Sequence, residues 1–301
     1  MRKNKFIWIL IFVILLGILG AFLFKKYTDE QDKEFTYTPL MYKVCDNNSC
    51  IYLLGSIHIG DSRVNKFNKV IMDAYNDSDK IAVEVDSSDV TVNLNDLMLE
   101  NGTLDNYISA ELNEKLTRFA EEHPKFTYQQ FKSFKIGYIY DYLSMLPYLE
   151  EGYGIEGVDM YFMNLARTDN KPIISLEKYE DQMQLLIGYS DEFYIEQINN
   201  TIDYYSIAKE AALNLYEIYL TGDEEKITAL INMEDDGLES EEGKRFIKEI
   251  YDDRNNAMAK NVEQFLANDE KVFMVVGCAH VVGDKGIVSL LKNDYQISIV
   301  K

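Results

Sequence analysis

Two stretches of the chain place a histidine three residues behind a glycine: Gly55-Ser56-Ile57-His58 and Gly277-Cys278-Ala279-His280. Each follows an apolar, strand-like run, residues 50–54 and 272–276, and each is followed by a further glycine, Gly60 or Gly283. The two copies hold two of the chain's three histidines. Imidazole is the side chain best suited to bind a transition metal or to move a proton near neutral pH. Strands this far apart in sequence deliver two imidazoles to one point only if the fold brings their ends together, and the matched copies argue that it does. His123, in Glu121-Glu122-His123-Pro124, reads as a solvated helix end with no role.

A third apolar run, residues 81–83, closes on Glu84-Val85-Asp86. A carboxylate at the mouth of a buried strand supplies the oxygen ligand or general base that a two-histidine site lacks. Period two puts Asp86 on the face of Glu84, so either can serve while the other supports it.

The elements that must position these groups follow from patterning. Residues 40–44 and 51–54 flank a turn-rich Asp46-Asn47-Asn48-Ser49 and predict a β-hairpin. Cys45 and Cys50 bracket that turn, and the spacing fits either a disulfide or two free thiols. Asp61 or Ser62 can cap a helix carrying Val64, Phe67, Val70, Ile71, Ala74 and Tyr75, which leads to the strand before Glu84 and gives a βαβ outline. Residues 104–149 are helical in pattern, and a Gly-rich turn, 152–157, opens a helix that leads through Lys171-Pro172 to a short strand at 173–177. Residues 185–243 read as an acidic helical insertion or lid, with 233–243 its most mobile part. A helix from about 244 to 266 carries Arg254 and Asn255. The chain closes as strand, turn, helix, strand. The expected fold is α/β, a central mixed sheet flanked by helices.

Residues 6–24 form an unbroken apolar run, long enough at about 1.5 Å per residue to cross a hydrocarbon core. It is longer than the apolar part of a signal peptide and ends without a small-residue cleavage site, so a retained anchor is expected. Arg2, Lys3 and Lys5 precede it, which predicts a cytoplasmic start (1–5), a stalk (25–37) and an extracellular body (38–301), single-pass in the plasma membrane. The net charge is −21, and those three positive residues lie before the run, so the body is more acidic still. Such a body repels nucleic acid, which is excluded as a partner. No P-loop, Rossmann glycine fingerprint, His-Glu-x-x-His or Gly-x-Ser-x-Gly occurs.

The segments 52–60, 84–86, Gly157-Val158-Asp159, Lys171-Pro172 with Leu176-Glu177 and Gln182, Arg254-Asn255, and 275–283 with Gly286 together resemble the TraB/PrgY/GumN family, which includes the Tiki proteins. The similarity runs in order over about residues 38 to 301. It implies a metal-dependent hydrolase of the erythromycin-esterase and ChaN-like type, with His58, Glu84 and His280 as metal ligands and Glu84 and Arg254 as catalytic groups. Asp86, Asp159, Glu177 and Asn255 are the expected supporting residues, and Arg254 the expected oxyanion stabiliser. The ion is divalent, and Mn, Co and Zn are not distinguished by these ligands. The implied substrate is a peptide or secreted signalling protein. The competing expectation is a membrane-tethered peptide-binding protein that sequesters a pheromone without catalysis. Cys278 departs from the small residue usual in the family, and puts a thiol open to oxidation or soft metals beside the site.

Overall fold

The computed structural model describes residues 37–86, 94–234 and 240–300. The expected anchor, with its flanks 1–5 and 25–36, lies outside the described residues; among those, no helix is long and apolar enough to cross a membrane. The fold is mixed α/β. Six strands, β1 (Met41–Cys45), β2 (Cys50–Ser56), β3 (Lys80–Val83), β4 (Ile173–Ser175), β5 (Val272–Gly277) and β6 (Gln296–Ile299), lie in the order β4-β3-β5-β2-β1-β6.

β4, β3, β5 and β2 run parallel, whereas β1 is antiparallel to both of its neighbours. β5 is apolar at five successive positions, all buried, as a strand covered on both faces requires. The sequence order suggested β2 and β3 as a simple βαβ pair; β5, from the far end of the chain, inserts between them instead. The carboxyl ends of β2, β5 and β3 therefore stand side by side, and each is followed at once by one of the residues singled out above.

The hairpin forms with Cys45 opposite Cys50, and the two are joined in a disulfide. The helix after His58 starts later than its apolar spacing suggests, at Lys69 with Asn68 as its cap. Asp61 does not cap it, because its carboxylate is occupied by Arg63 and the Tyr216 hydroxyl. Lys171 donates to the carbonyls of Tyr75 and Ser78 and lies over the Tyr75 ring, closing the carboxyl end of the same helix.

Two apolar cores form. One packs both faces of the sheet; the other joins helices Ala110–Glu122, Ile136–Glu150 and Asp191–Asp203 around Leu116, Ile139, Leu143 and Tyr194. The helical stretch 185–243 divides between them: Phe193, Ile198 and Tyr205 join the helical core, while Tyr216, Tyr219 and Leu230 pack on the sheet. His123 is no solvated helix end. It lies between the Phe119 and Tyr205 rings, with Nδ1 2.7 Å from Glu150, because its helix terminus is packed inside the helical unit.

Candidate active site

Parallel pairing sets Ser56 opposite Gly277, and Val83 opposite Val275. His58 thus lies two residues past the end of β2, Glu84 one past β3 and His280 three past β5. In an open parallel sheet, ligands bind outside such carboxyl ends.

Each histidine is held through Nδ1. His58 Nδ1 is 2.9 Å from Asp159 Oδ2, and the other Asp159 oxygen accepts from the Ser56 hydroxyl at 2.5 Å. The imidazole is otherwise open, 65% exposed. The Asp159 carboxylate raises its pKa well above the ordinary imidazole range, so the ring carries a proton at neutral pH in the absence of a metal. His280 is buried, with Nδ1 2.7 Å from Asn255 Oδ1. Since the Asn255 amide nitrogen donates to the Lys285 carbonyl, its oxygen is the acceptor, which puts the hydrogen of His280 on Nδ1 and the lone pair on Nε2. Burial lowers the His280 pKa to about 4. The two histidines have opposite charge states because the Asp159 carboxylate outweighs burial at His58, whereas burial outweighs the nearby Glu84 carboxylate at His280.

Glu84 is buried, and its two oxygens have separate partners. Oε1 accepts from the Gly277 backbone N–H at 2.7 Å and lies 3.9 Å from His280 Nε2. Oε2 accepts from Arg254 at 2.6 Å and from Gln182 at 3.3 Å. Burial pushes its pKa up, but the neighbouring histidine and arginine charges and the Gly277 N–H outweigh that and lower it to about 2.

Arg254 also donates twice to Glu177, at 2.8 and 2.9 Å, and once to the Ile250 carbonyl. It makes no surface pair with the adjacent acids, since Asp252 pairs with Lys285 and Asp253 with Lys248. The expected continuous helix around it is interrupted by a π-helical turn, Lys248–Asp253, immediately before Arg254–Ala267. That wide turn rephases the helix, and it leads directly into Arg254 on the carboxylates and Asn255 on His280.

Asp86 does not share the place of Glu84. β3 ends at Val83, the period-two alternation stops there, and Asp86 pairs with Arg167 at 2.5 Å. Cys278 is buried with its Sγ against Gly55, where an added Cβ would lie 2.8 Å away; burial pushes its thiol pKa up to about 12, so the thiol packs under the site. Ser56, Gln182 and the Gly277 N–H carry contacts to which sequence reasoning gave no role, although all three sit inside the motifs.

Gly277 marks where the groups converge. A Cβ on it would lie 3.2 Å from Glu84 Oε1, 3.5 Å from His280 Cδ2 and 3.9 Å from His58 Nε2. Among the described residues no three His, Cys, Asp or Glu side chains are gathered closely enough to hold a metal ion as they stand. The donor set nevertheless fits a divalent ion in kind. Two imidazoles anchored through Nδ1 leave Nε2 for a ligand, a carboxylate oxygen faces one of them, and each Nδ1 partner supplies the support that metal-binding histidines require. The space above the bare face of Gly277 is bordered by side chains of all three residues.

The model of the TraB/PrgY/gumN family matches residues 40–298. No curated protein and no solved structure matches the chain.

Proposed function

The chain belongs to the TraB/PrgY/gumN family, and from that premise we propose that it is a membrane-anchored, extracellular, metal-dependent hydrolase cutting peptide bonds in peptides or secreted signalling proteins. The observation that carries the proposal is the meeting of His58, Glu84 and His280 around Gly277, at the carboxyl ends of three adjacent parallel strands. His58, His280 and Glu84 would hold the ion, whether zinc, manganese or cobalt. When bound, it supplies Lewis acidity that brings the pKa of water toward neutrality and polarises a carbonyl.

The protein's part is positioning and proton handling. Asp159 and Asn255 orient the two rings, and Ser56 fixes Asp159 in turn. Glu84 Oε1, beside His280 Nε2, is the oxygen placed to take a proton from the attacking water. Arg254 and Gln182 hold the other Glu84 oxygen, and Glu177 locks Arg254. With its donors committed in this way, Arg254 acts first as the anchor of the carboxylate and reaches an oxyanion only through an Nη1 hydrogen.

The anchor reading rests on residues 6–24, and the Cys45–Cys50 disulfide fits an oxidising compartment outside the cytoplasm. Incubating the purified chain with a peptide library, with and without added Mn, Co or Zn, tests the proposal. Metal-dependent fragments support it, and an uncut library under all conditions rejects it.

A further inference from the structure

The helix Tyr179–Ile187 carries Gln182 to Glu84, and it also forms one wall of a separate cavity of about 340 Å³. On this wall Asp181, Gln184, Leu185 and Gly188 follow the i, i+3, i+4, i+7 spacing of a single helix face. The opposite wall is Arg245, from the helix Glu241–Ile247, and Glu249, from the π-helical turn after it. Tyr189 completes the lining; it is buried, and its ring packs on Phe193 and Phe246, so the helical core fixes it in place. Glu249 is oriented by this ring, since its Oε2 accepts the Tyr189 hydroxyl at 2.7 Å while Oε1 has Arg245 Nε only at 3.9 Å. Arg245 is committed elsewhere: it donates to Glu242 at 3.2 Å and lies over the Tyr189 ring. The side chains of Asp181 and Gln184 have no hydrogen-bond or ion-pair partner among the described residues.

The two walls of the cavity are also the two elements that hold Glu84. Gln182 directly follows Asp181, Arg254 comes five residues after Glu249, and both donate to Glu84 Oε2. The cavity thus lies roughly 10 Å from Glu84, about three residues of extended peptide. On the hydrolase reading above, we propose that it is a substrate subsite for an arginine or lysine side chain, so that basic peptides are selected and cut at a fixed short distance from the basic residue. Asp181, Gln184 and Glu249 offer carboxylate and amide oxygens to the charged head, and Leu185 offers apolar surface to its aliphatic stem. Gly188 keeps this space open, because an added Cβ would meet the Gln184 amide. The net charge of −21 draws a cationic peptide toward the chain from a distance.

The test uses the full chain and one uncharged peptide sequence in which arginine, its neutral isostere citrulline, or glutamate is walked through successive positions. Binding to the metal-free chain is read by calorimetry, and cleavage with added Mn, Co or Zn by mass spectrometry. The arginine form should bind, and be cut, about tenfold better than the citrulline form, with the cut a constant number of residues from the arginine. Asp181 is exposed, so Asp181→Asn should keep the circular dichroism and Tm of the wild type while bringing that ratio close to one. Asp181→Lys should turn the preference toward the glutamate form. Equal handling of the three forms, a wild-type preference for glutamate, or a ratio unchanged in Asp181→Asn overturns the inference. If no peptide is cut, the hydrolase reading fails, and the calorimetric ratio still decides whether the cavity binds a basic side chain.

Discussion

Arg254 and Glu84 lie 170 residues apart in the chain and meet as a buried ion pair at 2.6 Å. The pair forms only because β3 ends, and the helix after the π-helical turn begins, at the same edge of the sheet. Arg254 is thereby a builder of the site before it is anything else, because its guanidinium binds the two acids, Glu84 and Glu177, that would otherwise repel each other.

Arg254→Ala leaves both carboxylates buried without a counter-charge and should cost about 3–5 kcal/mol of stability, read by urea unfolding at pH 7. Arg254→Lys keeps the charge but loses the planar fork and should recover only part of that. Wild-type stability in the alanine variant would show that the cluster does not depend on this pair.

The opposite charge states of the histidines predict opposite pH behaviour in the metal-free protein. The lowered pKa of His280 keeps it neutral down to about pH 4, whereas the unfolded chain takes up that proton below 6.5. This group therefore erodes stability as pH falls from 6.5 toward 4. His58, raised by Asp159, contributes stability below 6.5 that is lost as pH rises through its folded value. Imidazole nitrogen shifts should show His58 charged and His280 neutral at pH 7. Metal binding at that pH should release about one proton, measurable by calorimetry in buffers of different ionisation enthalpy; zero release would contradict the assignment of His58.

Gly277 has φ −48 and ψ 135, which any residue can adopt. Its bare face is needed for space rather than for backbone freedom. Gly277→Ala should fold with little change in Tm but place a methyl 3.2 Å from Glu84 Oε1 and between the two rings, lowering ion affinity and turnover by about 10²-fold or more. Unchanged ion affinity would show that the space above Gly277 is not the binding point.

Lys171 supplies the contrasting case. It sits in a motif of the resemblance, yet its ammonium closes a helix end away from the site edge. Lys171→Met should cost about 1–3 kcal/mol, the scale for buried carbonyls left unpaired, and leave kcat unchanged. A turnover loss without a stability loss would assign it a different role.

The sequence shows which residues are candidates more clearly than it shows how they meet. A glycine-spaced histidine after an apolar run and a carboxylate after another are local patterns, so His58, His280 and Glu84 can be read directly. That β5 lies between β2 and β3 cannot, because strand order is set by long-range pairing that leaves no local period. Asp86 was paired with Glu84 by an alternation that holds only while the strand lasts, and β3 stops at Val83. The π-helical turn before Arg254 and the division of residues 185–243 between two cores are likewise products of packing. Ser56 could have been found, since a hydroxyl two residues before His58, at the very end of β2, is within reach of whatever holds that histidine.

The measurement that bears most directly on the central claim is metal stoichiometry and peptide turnover, taken together on the full chain and on His58→Ala, His280→Ala and the double variant. About one divalent ion per chain and metal-dependent cleavage are expected in the wild type. Each single variant should lose both, because two remaining protein ligands are too few to hold the ion. Stoichiometric metal retained by the double variant, or cleavage that persists without either histidine, would contradict it.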